Sequence, residues 1–212
     1  MRRRFTEHAL FFREFLRNFH TTGAVLPSGR YLARALTRFV SEKSLPPRKI
    51  LEVGPGTGAV TRQIIAGMGS ADSLDLVELN RTFVEQLERR FRTEPAFRAV
   101  ADCARVLHCP VEELPRGDRY HVIVSGLPLN NFAAAEVERI LAALVDLLAP
   151  GGTLSFFEYI AVRPLRALVS SRAERDRLRG IGKALGSLLG REIRRDAVWL
   201  NVPPAWVHHV RC

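Results

Sequence analysis

The chain has 212 residues, 47% of them hydrophobic and 25% charged, with a formal net charge of +10. That length suits one α/β domain with a sizeable core, and the ordinary apolar content excludes both a disordered chain and a membrane-spanning one. The charge excess points to an anionic partner, either nucleic acid or an anionic membrane surface.

The excess is uneven along the chain. Residues 1–30 hold six arginines against two glutamates, and residues 163–196 hold nine arginines and one lysine against four acids. The stretch between them is close to neutral, as a catalytic body with basic docking flanks would be. The cysteines Cys103, Cys109 and Cys212 show neither disulfide nor zinc spacing and read as reduced thiols of a cytosolic protein. No metal site is expected.

In chain order, Met1 to His20 reads as an amphipathic helix. Phe5, Phe12, Phe15 and Phe19 recur at helical spacing, and Arg2, Arg3, Arg4, Arg13 and Arg17 surround them. Such a helix can lie in a lipid interface or pack on the domain as a lid. Glu7, Arg13 and Glu14 interrupt the unbroken apolar stretch that a secretory signal needs. Residues 1–28 are therefore read as helix plus link and 29–212 as the main domain. Ser28 stands at an N-cap position before a helix from Gly29 to about Ser41.

Ile50 to Val53 reads as a buried strand that breaks into Gly54-Pro55-Gly56-Thr57-Gly58 and opens a helix from Ala59 to about Met68. Glycines let the backbone bend sharply and approach a ligand, and the helix aims free N–H groups and its positive dipole end into the turn. Gly54, Gly56 and Ala59 also satisfy the dinucleotide pattern, so the glycines alone leave two ligand classes open. Glu52 decides between them. A carboxylate beside the turn repels a pyrophosphate but attracts S-adenosylmethionine (SAM), which carries an ammonium and a sulfonium and no phosphate. Glu78, followed by Leu79, ends the second strand, where a carboxylate can accept ribose hydroxyls.

Beyond the turn the pattern gives strand 74–79, helix 81–92, strand 97–101, strand 120–125, helix 133–148 and strand 153–160. Strands alternating with helices mean a parallel sheet with right-handed crossovers. Asp102 with Cys103, placed after the third strand, is expected to hold the adenine. Ser125-Gly126-Leu127 and Asn130 leave the fourth strand toward the reacting centre, where such groups can position an attacking amine; Asn130 can equally cap the next helix. Tyr159 ends the fifth strand and can enter the pocket. Residues 170–179 read as a solvated helical face. Ala197 to Val210 reads as an antiparallel hairpin closing the sheet edge, with Pro203 and Pro204 at its bend and His208 and His209 on alternate faces of an edge strand.

Glu52-Val-Gly-Pro-Gly-Thr-Gly58, Val77-Glu-Leu-Asn80, Val124-Ser-Gly-Leu-Pro-Leu129 and Asn201-Val-Pro-Pro-Ala-Trp-Val207 together make the chain resemble the bacterial phospholipid N-methyltransferases. Gly23-Ala-Val-Leu-Pro-Ser28 is also similar to that family. Asp102-Cys103-Ala104 stands where such enzymes often have Gly-Asp-Ala, and Phe157-Glu158-Tyr159-Ile160 replaces a more polar ending. The resemblance implies a Rossmann-like class I methyltransferase fold: a seven-stranded, mostly parallel sheet with an antiparallel C-terminal hairpin and helices on both faces.

The resemblance also implies stepwise methylation of phosphatidylethanolamine toward phosphatidylcholine, with SAM as donor, by a monomer bound peripherally to the inner face of the membrane. Glu52, Gly54, Gly56, Thr57, Gly58, Glu78, Leu79, Asp102, Cys103 and Ser125 are then the expected cofactor contacts. Ser125, Gly126, Leu127, Asn130 and Tyr159 line the acceptor side. The rival activity is adenine N6-dimethylation of ribosomal RNA, which uses an N-[LP]-P-[YF] loop whose aromatic stacks the flipped base; Gly126-Leu127-Pro128-Leu129 lacks that aromatic. A non-catalytic membrane-binding module and a nucleotide-dependent reductase are the remaining readings.

Overall fold

The computed structural model describes residues 28–42, 47–115, 117, 119–160 and 172–212. The helix expected over residues 1–20 lies outside them. In chain order the elements are α1 (Ser28–Leu36), α2 (Arg38–Ser41), β1 (Lys49–Val53), α3 (Ala59–Gly67), β2 (Ser73–Val77), α4 (Arg81–Thr93), α5 (Pro95–Arg98) and β3 (Ala104–Leu107). They continue with β4 (Tyr120–Ser125), α6 (Ala134–Asp146), β5 (Leu148–Tyr159), α7 (Arg172–Leu189), β6 (Glu192–Val198) and β7 (Ala205–Arg211).

The seven strands form one sheet in the order β3-β2-β1-β4-β5-β7-β6. Strands β1 to β5 pair in parallel, while β7 runs antiparallel to both β5 and β6. Parallel strands covered on both faces read as near-continuous apolar runs, and β1, β2 and β4 do so. On one face Leu51, Val53, Ile123, Leu154 and Phe156 pack against Val137, Ile140 and Leu144 of α6 and Ile181, Leu185 and Leu188 of α7. On the other, Ile50, Leu74, Leu76, Val122, Val124 and Phe157 meet Leu36 of α1, Ile64 of α3 and Leu87 of α4. This is the class I Rossmann-like arrangement, and it puts the loops after β1, β2, β3 and β4 along one edge of the sheet.

A buried ion pair ties down the opposite edge. Arg48, 7% exposed, holds Asp72 through Nη2 at 2.6 Å and donates from Nη1 to the carbonyl of Val40 at 2.8 Å. Burial alone would raise the Asp72 carboxyl, but hydrogen bonds from Arg48 and the Gly69 N–H outweigh it and hold the acid ionised. Asp72→Ala leaves a buried guanidinium without its counter-charge, and removal of one partner from such a pair costs about 3–5 kcal/mol. The variant is expected to melt well below the parent while keeping its SAM affinity, because the pair lies at the amino ends of β1 and β2, away from the glycine turn. A calorimetric titration beside a thermal melt checks both halves.

The structure corrects three expectations. The third strand is not at 97–101: Pro95 sits in the first turn of α5, a position where its missing N–H is harmless, and the strand itself begins at Ala104. The long first helix is interrupted at Thr37, whose hydroxyl bonds back to the carbonyl of Ala33 at 2.9 Å. Strand β7 is inserted between β5 and β6, so His208 and His209 belong to an inner strand and are buried, 2% and 0% exposed. His209 shares a hydrogen bond with Ser155 Oγ at 2.8 Å, and burial pushes its ring down to about 4, so it stays neutral at physiological pH. The hairpin has its bend at Trp199 to Pro204, with Pro203 and Pro204 there as expected.

Candidate active site

The glycine turn between β1 and α3 takes backbone angles that side chains resist. Gly54, Gly56 and Gly58 have φ of 71°, 55° and 82°, in the left-handed region where a Cβ is strained. Space reinforces the angle at two of them. A Cβ on Gly54 would lie 2.7 Å from Leu127 Cδ2, and one on Gly58 would lie 2.8 Å from Arg90 Nη1. Gly56 has open space where its Cβ would be, so this part of the turn is bare toward the cleft.

Two carboxylates meet the turn from beneath and beside. Glu52, the fourth residue of β1, is 1% exposed, and its Oε2 accepts the Thr61 hydroxyl from α3 at 2.6 Å. Burial pushes this carboxyl up to about 8, the charge of Glu78 adds to the rise, and the Thr61 hydrogen bond opposes it. Glu78 follows β2 and is also 1% exposed. Its Oε2 accepts the Gly56 N–H at 3.0 Å and its Oε1 the Asn80 N–H at 2.8 Å. Burial raises the Glu78 carboxyl despite those N–H donors. Asn80 in turn caps α4 through the Thr82 N–H at 2.9 Å.

The loop after β4 lies against the same turn. Gly126 donates to the carbonyl of Val53 at 2.8 Å, and a Cβ on it would fall 2.8 Å from the carbonyl oxygen of Gly54. Ser125, Leu127 and Asn130 are buried, at 0%, 8% and 3% exposure. The side chains of Leu127 and Leu129 join the core on the α6 face, and so does Phe132, the aromatic that follows. Asn130 sits in a 3-10 turn over Leu129–Asn131 and does not cap α6, whose N-cap position is Ala133. Tyr159 closes β5 opposite Ala205, with its ring edge-on to Phe157 at 5.3 Å between centroids. Burial pushes its phenol up, so it remains a neutral donor.

The structure thus brings together Glu52, Gly54, Gly56, Thr57, Gly58, Glu78, Leu79, Ser125, Gly126, Leu127, Asn130 and Tyr159 along the carboxyl edge of the sheet. Asp102 and Cys103 are not among them. They occupy a 3-10 turn ahead of β3, level with the start of β2, about 10 Å of strand from the cleft edge. The reason is the displaced third strand. The loop at its carboxyl end is His108 to Glu113, where His108 Nε2 lies 3.1 Å from the carbonyl of Leu79 and burial raises the Cys109 thiol.

One residue that frames the turn escaped sequence reasoning. Arg90, on α4, donates from Nη1 to the carbonyl of Thr57, pairs with Glu94 at 2.8 Å and stacks over Phe97 at 4.4 Å. It holds the glycine turn from outside. The Pro95 helix signal could have moved the third strand, but no local pattern announces Arg90.

Residues 50–152 match the family model for a methyltransferase domain. That stretch is a class I SAM-dependent methyltransferase domain. The domain is similar over 69% of the chain to the ornithine lipid N-methyltransferase of Singulisphaera acidiphila, at 28% identity and covering 74% of that protein. It is also 37% identical over 111 residues to the ribosomal RNA small subunit methyltransferase A of a Synechococcus strain, covering 51% of this chain and 38% of that one. The chain thus spans about two fifths of the length of that relative. The fold of the methyltransferase domain matches the magnesium protoporphyrin IX methyltransferase of Synechocystis, solved with bound SAM, at a TM-score of 0.61 over 87% of this chain and 79% of that one, with 13% identity.

SAM is the cofactor of the domain, and the residues present fit it. The bare turn at Gly56 leaves room for a ligand, and the two buried acids beside it suit a cationic ligand bearing a diol, whose charge would favour their ionised form as a pyrophosphate would not.

Proposed function

We propose that this methyltransferase domain transfers methyl groups to the amine of phosphatidylethanolamine, stepwise toward phosphatidylcholine, at a membrane surface. The observation that carries the reading is the loop after β4. It lies in contact with the glycine turn, and its leucines Leu127 and Leu129 and its aromatic, Phe132, are all committed to the core, so the loop offers no free ring to the cleft. A flipped base needs a free ring to stack on, whereas an amine on a flexible headgroup needs only to be aligned by a few acceptors. The similarity to a lipid N-methyltransferase over most of that protein's length and the +10 net charge support the same choice.

When bound, SAM supplies an electrophilic methyl group on a sulfonium. The chain's own residues bind and align. Glu52, ionised by the facing ammonium, and the turn at Gly54 to Gly58 would take the amino-acid end, with Thr57 at the apex. Glu78 would accept the ribose hydroxyls, and Leu79 with the His108–Glu113 loop would flank the base. Ser125 to Leu127 and Asn130 offer carbonyl and amide acceptors to the incoming amine. Tyr159, kept neutral, donates a hydrogen bond or lays its ring against the growing methylammonium, a contact worth about 0.5–2 kcal/mol. Alignment is the main contribution of the site, since holding two reactants in register can supply up to about 7–11 kcal/mol.

The test offers radiolabelled SAM and the full chain a choice between vesicles of phosphatidylethanolamine with phosphatidylglycerol and purified ribosomal RNA. Label is expected in the lipid phase, as mono-, di- and trimethylated headgroups. Label confined to RNA overturns the reading in favour of base methylation.

A further inference from the structure

The described residues expose five large hydrophobic side chains, and three of them lie in four consecutive residues of the β6–β7 loop: Trp199 at 64%, Leu200 at 65% and Val202 at 72%. Asn201 between them points the other way, 5% exposed, and its Nδ2 donates to the carbonyl of Pro203 at 2.6 Å. The loop is anchored rather than loose. The Ile160 N–H donates to the carbonyl of Pro204 at 2.8 Å, and Trp199 meets Trp206 edge-on at 6.0 Å. Arg195 covers the Trp206 ring at 5.7 Å.

Position gives this apolar tip its meaning. Val198 and Ala205 flank the loop and pair with each other, and Ala205 also pairs with Tyr159 at the carboxyl end of β5. The tip therefore stands at the same edge of the sheet as the glycine turn and the loop after β4. Helix α1 starts at this edge as well, because Val40 and Ser41 beyond its far end pack against Gly67, the last residue of α3. Its first turns present exposed Arg30, Tyr31 and Arg34.

We propose that the β6–β7 loop inserts Trp199, Leu200 and Val202 into an anionic bilayer and seats the mouth of the active site on the membrane. This rests on the lipid-amine reading above and adds a docking element, inside the folded domain, to the arginine-rich segment before Ser28. A tryptophan tip is suited to the interfacial zone, where the ring lies among headgroups, and the exposed Arg30 and Arg34 of α1 at the same edge can meet lipid phosphates. A protein partner of ordinary size needs a broader patch than four residues. The bilayer is the occupant that a small protruding tip, a net charge of +10 and a neighbouring lipid-amine site agree on.

Two variants of the full chain test it. Trp206→Phe leaves Trp199 as the sole tryptophan, since the chain holds two. With vesicles of phosphatidylethanolamine and phosphatidylglycerol its emission is expected to shift to the blue and to be quenched by brominated acyl chains. The triple variant Trp199→Ser, Leu200→Ser, Val202→Ser is expected to lose at least about tenfold in vesicle affinity while its SAM binding and its methylation of dispersed short-chain phosphatidylethanolamine stay within about twofold. Unchanged vesicle binding by the triple variant, or Trp199 remaining open to acrylamide on vesicles, overturns the docking loop even where lipid is methylated. Shielding of Trp199 that grows with protein concentration and needs no vesicle overturns it in favour of a second copy. Insertion of Trp199 without label in lipid supports the loop and overturns the methyl-acceptor reading instead.

Discussion

Gly126→Ala is expected to abolish measurable SAM binding and to lower the melting temperature. Its Cβ would fall 2.8 Å from the carbonyl oxygen of Gly54 and 3.5 Å from that of Val53. Both atoms are backbone, and Gly54 is pinned by its N–H to the carbonyl of Val77 at 3.0 Å. Nothing there can rotate away, so the loop after β4 and the glycine turn must separate. Such overpacking costs about 1–3 kcal/mol in stability. The loss of function is larger than that figure suggests, because the displaced pieces are the two walls of the cleft, and a misplacement of about 1 Å can cost about a hundredfold in rate. Gly54→Ala adds a strain of a different kind, since its φ of 71° disfavours any Cβ and that Cβ would also meet the Leu127 side chain at 2.7 Å. Titration calorimetry and kcat/KM on vesicles measure both. A Gly126→Ala protein that binds SAM as the parent does would mean that the two loops do not frame the site.

The second large effect is a dependence on pH. The Glu52 carboxyl titrates near 8 in the folded chain against an ordinary value of 4.5. Between these values the folded state holds a proton that the unfolded state has released, so stability falls as pH rises from about 4.5 to about 8, at up to about 1.4 kcal/mol per pH unit. It is flat with respect to this group outside that window. Glu52→Gln keeps an acceptor for the Thr61 hydroxyl and removes the titration, so its melting temperature is expected to lose most of that slope.

A cationic ligand reverses the preference, since an ammonium facing Glu52 favours the carboxylate. SAM binding at pH 7 is therefore expected to release a proton, and affinity should rise toward pH 8 by up to about tenfold per unit. The Gln variant should bind more weakly and with less pH dependence. The ligand's own amino group titrates in the same range, so the readout is the difference between parent and variant in buffers of different ionisation enthalpy. Equal proton release from both proteins would remove Glu52 from the cofactor site.

The order of elements was legible because parallel strands buried on both faces announce themselves as short apolar runs between amphipathic helices. Ile50 to Val53, Leu74 to Val77 and Tyr120 to Ser125 were found on that signal. The glycine turn was legible for a local reason too: three left-handed angles demand three glycines. The third strand was not. Ala104 to Leu107 is four residues long at the sheet edge, only partly buried, and Arg105 points out of it to Asp75, so it carries no apolar run, while Ala96 to Val100 mimics one. That single shift moved the expected adenine side from Asp102 and Cys103 to the loop that begins at His108.

What the sequence determined by itself is the fold class, the turn and the sign of charge beside it, all fixed by residue type and short spacing. Tertiary structure alone decided which groups converge. Arg90 reaches Thr57 across 33 positions, Gly126 touches Gly54, and the tip at Trp199 shares an edge with Tyr159. Such contacts depend on crossover connections and strand insertion, which bring distant residues together without leaving any periodicity in the chain to read.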